Sequence, residues 1–169
     1  MDTRWSSIDR LTEDETLTIP TWAVLSIVGS GVLILGSFRP WTTLTVSEAE
    51  NAGISVTETA GGLAGDGVTT LFFATLVIVT VLVSAYRYDH GPGTWTAMLA
   101  TFSGLSVGFV AYAVYDGERT LQRAYTDGAG GVTATLDLHA SLFVVVLGAM
   151  VLVASGLVGI VRTKQRRAR

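Results

Sequence analysis

The side chains able to do chemistry are few and scattered. Eight carboxylates (Glu48, Glu50, Glu58, Asp66, Asp116, Glu118, Asp127 and Asp137) fall in two polar segments, and none shows metal-ligand spacing. A calcium site needs several oxygens converging on one point, so these read as solvated loop charge. Asp66-Gly67 and Asp127-Gly128 are ordinary turn dipeptides. Of the two histidines, His90 sits in Asp89-His90-Gly91-Pro92-Gly93, which reads as a tight turn. His139 opens the last apolar stretch, where a ring nitrogen is expected to bond a loop carbonyl rather than to move protons. Placed on opposite sides of a membrane, the two cannot share a metal. With no cysteine, disulfides, thiolate metal sites and a cysteine nucleophile are excluded. No Gly-x-Ser-x-Gly, P-loop or His-Glu-x-x-His is present. The expectation is a protein without catalytic residues, metal or cofactor.

The elements around these residues are more informative. Hydrophobic residues make up 49% of the chain and charged ones 15%, and the apolar residues come in blocks rather than at amphipathic spacing. Crossing about 30 Å of hydrocarbon takes roughly 20 apolar residues in a helix. Four stretches qualify, at about 21–38, 69–86, 95–115 and 139–161, and none contains Asp, Glu, Lys or Arg. Aromatic residues (Trp22, Phe38, Trp41, Tyr86, Tyr88, Trp95, Tyr112, Tyr115) gather near their ends, where amphipathic rings favour the headgroup region.

Positive loops stay cytoplasmic. The tail, residues 162–169, carries Arg162, Lys164, Arg166, Arg167 and Arg169, which places the C-terminus inside. An even number of spans then puts the leader, residues 1–20, inside as well, in agreement with Arg4 and Arg10. The connections 39–68 and 116–138 lie outside, Arg119 and Arg123 being mild counter-signals. The first span reads as a retained helix: the preceding Glu13-Asp14-Glu15 is acidic and no small-residue cleavage site follows. The reading is an all-α membrane domain over 21–161, a four-helix bundle in the cell membrane carrying a small extracellular β-sheet.

That sheet is expected from alternation. Thr43-Leu44-Thr45-Val46 and Ile54-Ser55-Val56-Thr57 flank a turn, and Val132 to Leu138 is the cleanest period-two run. Val132, Ala134, Leu136 and Leu138 would face one side, and Thr133, Thr135 and Asp137 the other. Residues 118–125 are good helix formers expected to carry the third helix outward until Asp127-Gly128 breaks it. Thr21-Trp22 and Ser30-Gly31 also echo Thr94-Trp95 and Ser103-Gly104 at one constant offset, a hint of duplication.

Four spans, inward termini, a β-forming first outer loop, an outward third helix and a strand before the fourth resemble the claudin-type tetraspan architecture. Pro40-Trp41 and Asp66-Gly67 are similar to dipeptides of four-span prokaryotic membrane proteins. A single lysine, no cysteine and acidic polar segments further resemble proteins of halophilic archaea. The cysteine pair of the claudin first-loop signature is absent, and Trp41 is its one echo. The resemblance therefore implies fold, not barrier or pore function. Trp41, Asp66, Gly67 and His139 are the outer-loop residues expected to take part in contacts.

Small residues carry the packing signals. Ala100, Gly104 and Gly108 recur every fourth residue, Ser26 and Ser30 repeat the spacing, and so do Ser155 and Gly159. In lipid, such stripes let backbones approach closely. They are expected to close the bundle or, for Gly104 and Gly108, to receive another subunit. The basic tail is a topology anchor able to attract anionic headgroups, at about 1 kcal/mol per residue; it is too short for nucleic acid. The expected function is non-enzymatic and works by assembly, with lipid and a second copy or another membrane protein as partners. The alternative is an oligomeric channel or carrier for a neutral or lipidic solute, lined by Ser26, Ser30, Thr75, Thr80, Thr101 or Ser106.

Overall fold

The computed structural model describes residues 19–48, 55–87, 92–128 and 132–167. The leader with Arg4 and Arg10, the turn at His90, and Arg169 lie outside the described residues. The elements run α1 (Thr21–Ser37), β1 (Thr42–Glu48), β2 (Ser55–Ala60), a 3-10 turn (Gly62–Ala64), α2 (Asp66–Arg87), α3 (Thr94–Gly128), β3 (Val132–Leu138) and α4 (Ala140–Arg167). The fold is mostly helical. Helices α2, α3 and α4 are long and apolar enough to cross a membrane. Helix α1 is equally apolar but has 17 residues, about 25 Å at 1.5 Å per residue.

Local chemistry sets these limits. Pro40 disfavours helical backbone at Arg39, and β-branched residues follow, so α1 gives way to β1. Asp66 in the first turn of α2 and Arg87 in its last both oppose the end charges of the helix dipole. Helix α3 continues 13 residues past Tyr115, through Asp116, Glu118, Arg119 and Arg123, and stops at Gly128. The outward extension expected from 118–125 is thus one piece with the apolar part.

Helix α4 packs most extensively, against both α1 and α3, and α2 completes the bundle. Trp22, Leu33, Val77, Val81, Val107, Val145 and Leu152 form the core. Large apolar side chains also cover the outside: Leu35 and Phe109 are each 71% exposed, Met150 63% and Phe102 61%. A water-soluble bundle keeps its apolar stripe inward and rarely exposes so much apolar surface. The echo between α1 and α3 extends to environment only at Ser30 and Ser103, both fully buried with unpartnered hydroxyls. Trp22 is buried, whereas Trp95 is 83% exposed.

The three strands form one antiparallel sheet in the order β2-β1-β3. Directly paired residues share a face, so the register sorts the side chains. Thr42, Leu44 and Val46 share one face with Glu58 and Ala60 of β2 and Ala134, Leu136 and Leu138 of β3, and the α3 extension packs against β1 and β3. Leu44 and Ala134 are buried there. The opposite face carries Thr43, Thr45, Ser47, Ser55, Thr57, Thr59, Thr133, Thr135 and Asp137, nearly a continuous hydroxyl surface. β1 starts where α1 ends, β2 leads into α2 and β3 leads into α4, so the sheet stands on one end of the bundle.

Candidate functional site

Trp41 ties the sheet to the helices. It is fully buried, and its indole Nε1–H donates to the Gly36 carbonyl at 3.1 Å. Its backbone N–H donates to Ala60 at 3.0 Å and its carbonyl accepts from His139 N–H at 2.9 Å. One residue thus joins the end of α1, the end of β2 and the approach to α4. Gly61 lies under the indole: a Cβ there would stand 2.5 Å from Trp41 Cγ. Its φ of 82° and the 69° of Gly62 also belong to the left-handed region that glycine tolerates. Gly67 is buried tightly against Gly62. Asp66 is exposed and begins α2 rather than forming a free turn. His139 is half-buried and its Nε2 lies 2.7 Å from Thr43 Oγ1. Its ring partner is a hydroxyl on β1 instead of a loop carbonyl. Ser141 Oγ donates to the Pro40 carbonyl beside it. Of the four outer-loop residues, Trp41, Gly67 and His139 therefore make contacts inside the fold, and Asp66 is exposed.

The small residues of the helices divide by neighbour. A Cβ on Gly104 would meet the Ala149 carbonyl at 2.7 Å, Val153 Cγ2 at 2.9 Å and Leu152 Cβ at 3.0 Å. Ala100 is fully buried in the same contact region. Gly108 is different: nothing lies within 4 Å of the space a Cβ would take. A four-residue step overshoots a helical turn by about 40°, so the stripe rotates out of the α3–α4 contact. Ser26 and Ser155 bond one another across α1 and α4 at 2.9 Å. Ser30 is fully buried, with its hydroxyl unpartnered. Gly159 lies against Ala97 and Trp22, where a Cβ would come within 2.8 Å of each.

Other close approaches are not legible from four-residue spacing. Gly29 and Gly36 both press on α4, and Gly148 presses back on Leu33 and Gly29. A Cβ on Gly156 would stand 2.7 Å from the Ala97 carbonyl. The available signal was the seven-residue interval from Gly29 to Gly36, which keeps two positions within about 20° on a helix.

The hydroxyls named for a solute path do not converge. Thr80 and Thr101 bond their own helices, to the carbonyls of Leu76 and Ala97. Thr75 is exposed, while Ser26 and Ser30 are buried between helices. At the end of the bundle away from the sheet, Arg162 and Lys164 are exposed. Arg166 and Arg167 fall within α4.

One carboxylate departs from the expectation of solvated loop charge. Glu118 is only 8% exposed, and its Oε2 has no hydrogen-bond partner. Burial, and then the negative charge of Glu58 on β2, raise its pKa above the ordinary 4.5. It lies on the α3 extension, beyond the apolar part of the helix. The cause of its burial is helical register: Glu118 is 14 and seven residues on from Gly104 and Ala111, both of which face inward. One turn further, Gln122 Nε2–H donates to the Ala134 carbonyl at 3.1 Å, holding α3 against the sheet. Among the described residues, no group of three or more His, Cys, Asp or Glu gathers as a metal centre. No protein-family model matches the chain, and no curated protein is significantly similar to it.

Proposed function

We propose that the chain is a four-span integral membrane protein of the cell membrane whose function is assembly rather than catalysis. In this reading α1 to α4 all cross the bilayer, α1 somewhat short of full thickness. The sheet lies outside and both termini lie in the cytoplasm. The carrying observation is the apolar cover on the outer faces of all four helices, from Leu35 on α1 and Phe72 on α2 to Phe109 on α3 and Met150 on α4. Lipid accounts for that cover without a second layer of protein. The orientation rests on positive charge: Arg87, Arg162 and Lys164 all sit at the end opposite the sheet.

Assembly is supported by the part of the small-residue stripe that the bundle does not use. Gly108 lies beside the exposed Leu105, Phe109 and Tyr112, a face suited to close contact with a helix of a second copy or another membrane protein. The sheet adds β2, an edge strand exposed along Ser55 to Thr59. The channel or carrier alternative has less behind it: Thr80 and Thr101 bond their own helices, Ser26 is taken up by Ser155 on α4, and Thr75 is exposed.

The test is the mass and composition of the complex after mild detergent extraction from the native membrane at native salt. A homo-oligomer or a defined partner fits the proposal, and a clean monomer rejects it. Orientation is tested separately, since the cysteine-free chain accepts single reporter thiols. Asp137→Cys should react with an impermeant maleimide on intact cells, and Gln165→Cys only after lysis. The reverse pattern would invert the topology.

A further inference from the structure

The α3–sheet junction contains a carboxylate arrangement that assembly does not require. Glu118 comes from α3 and Glu58 from the edge strand β2, and Glu58 is near enough to act on Glu118 by charge. The levels agree with the pairing. Gln122 bonds Ala134, which stands opposite Val46. Glu118 is one turn closer to the bundle, about 6 Å. Glu58 stands opposite Leu44, two strand residues closer, about 6.8 Å. Thr42 is the next residue down the same face and the diagonal neighbour of Glu58. Its hydroxyl is fully buried and, like Glu118 Oε2, without a partner.

A buried carboxylate with a free oxygen beside a second carboxylate is costly unless a proton or a cation neutralises it. The donors are all oxygens, two carboxylates and a hydroxyl, which suits a hard cation. Glu58 is exposed, so one side of the pair opens to solvent for entry and for ligating waters. We propose that Glu58 and Glu118, with Thr42 as the third oxygen donor, bind a calcium-class divalent cation that clamps the α3 extension to the sheet. Bidentate carboxylates supply up to four oxygens and the Thr42 hydroxyl one, and water completes the six to eight that calcium takes. Mg2+ demands stricter octahedral geometry and fits such a mixed site less well. With so few charged ligands, affinity belongs to the weak range, with Kd on the order of 10⁻⁴–10⁻³ M.

The experiment uses the purified full-length chain in detergent, stripped of divalent ions and titrated with Ca2+ at constant ionic strength. Thermal stability and the amount of Ca2+ bound are both recorded. Wild type should bind one Ca2+ per chain and show a saturable rise in Tm. Glu58→Gln, at an exposed position, should weaken binding by at least about tenfold, since even outer-shell changes cost 10–100-fold. Glu118→Gln should behave alike; if that buried variant fails to fold, Glu58→Gln decides. Asp137→Asn, on the opposite face of the sheet, should titrate as wild type does. No Ca2+ response in wild type, a full response in Glu58→Gln, or an equal loss in Asp137→Asn would each overturn the proposal. The outcome is separate from the assembly reading, because the site lies within one chain.

Discussion

Two glycines four residues apart on α3 should respond oppositely to the same added methyl group. A Cβ on Gly104 would approach Ala149 O to 2.7 Å, Val153 Cγ2 to 2.9 Å and Leu152 Cβ to 3.0 Å, and one on Gly108 meets nothing within 4 Å. Carbon atoms pack best at about 3.5–4.0 Å, so Gly104→Ala must push α3 and α4 apart by roughly 0.5–1 Å. The obstructing atoms include a helix backbone carbonyl, which cannot rotate aside. Overpacking of this kind costs about 1–3 kcal/mol. Both positions lie inside α3, so the gain in helix propensity on replacing Gly, about 1 kcal/mol, cancels when the two variants are compared. Gly104→Ala should therefore be less stable than Gly108→Ala by about 1–3 kcal/mol, measured by reversible detergent denaturation followed through tryptophan fluorescence. Gly108→Leu should not destabilise the isolated chain and should shift the mass of the native complex. Equal stability of the two alanine variants, or a weaker Gly108→Ala, would refute the assignment of Gly104 to the α3–α4 contact.

Other perturbations bear on the sheet end and the bundle. Trp41→Ala should cost about 3–5 kcal/mol, because it removes a fully buried ring as well as the bond to Gly36. Trp41→Phe keeps most of the ring and should cost less, with both read from denaturation midpoints. Ser155→Ala breaks the 2.9 Å bond to Ser26 and should cost about 0.6–2 kcal/mol, the usual range for interhelical bonds in membranes. The pKa of Glu118 is raised by burial and by Glu58, so the folded state binds its proton more tightly than the unfolded one. Its stabilising contribution is complete below about 4.5 and lost as pH rises through the raised value. Without divalent ions, wild-type Tm should fall across that window, and Glu118→Gln should remove the fall. An unchanged slope in the variant would place the titrating group elsewhere.

The sheet shows how far alternation carries. The faces expected for β3 match its burial at Ala134 against the exposed Thr133, Thr135 and Asp137. The runs proposed near 43–46 and 54–57 appear as β1 and β2, each shifted or extended by a few residues. Alternation is local and survives in a single strand, but the order β2-β1-β3 depends on partners distant in the chain. Trp41 was legible as a contact residue of the first outer loop, after Pro40, but not as the tie between sheet and helices. Its role came from the positions of Gly36, Gly61 and His139 around it.

Composition and blockwise hydropathy by themselves determined that the chain builds long apolar helices, because a helix satisfies its backbone groups with partners four residues away and its apolar length is set by local sequence. Strand periodicity and the breaks at Pro40 and Gly128 are local for the same reason. Tertiary structure alone decided which glycines touch. Gly104 and Gly108 are equivalent in sequence, yet a 40° rotation per step puts one against α4 and leaves the other open. It also decided that Glu118, outwardly an ordinary loop carboxylate, is buried beside Glu58. Contacts between distant segments depend on how helices cross and strands register, and single-residue chemistry does not encode those distances.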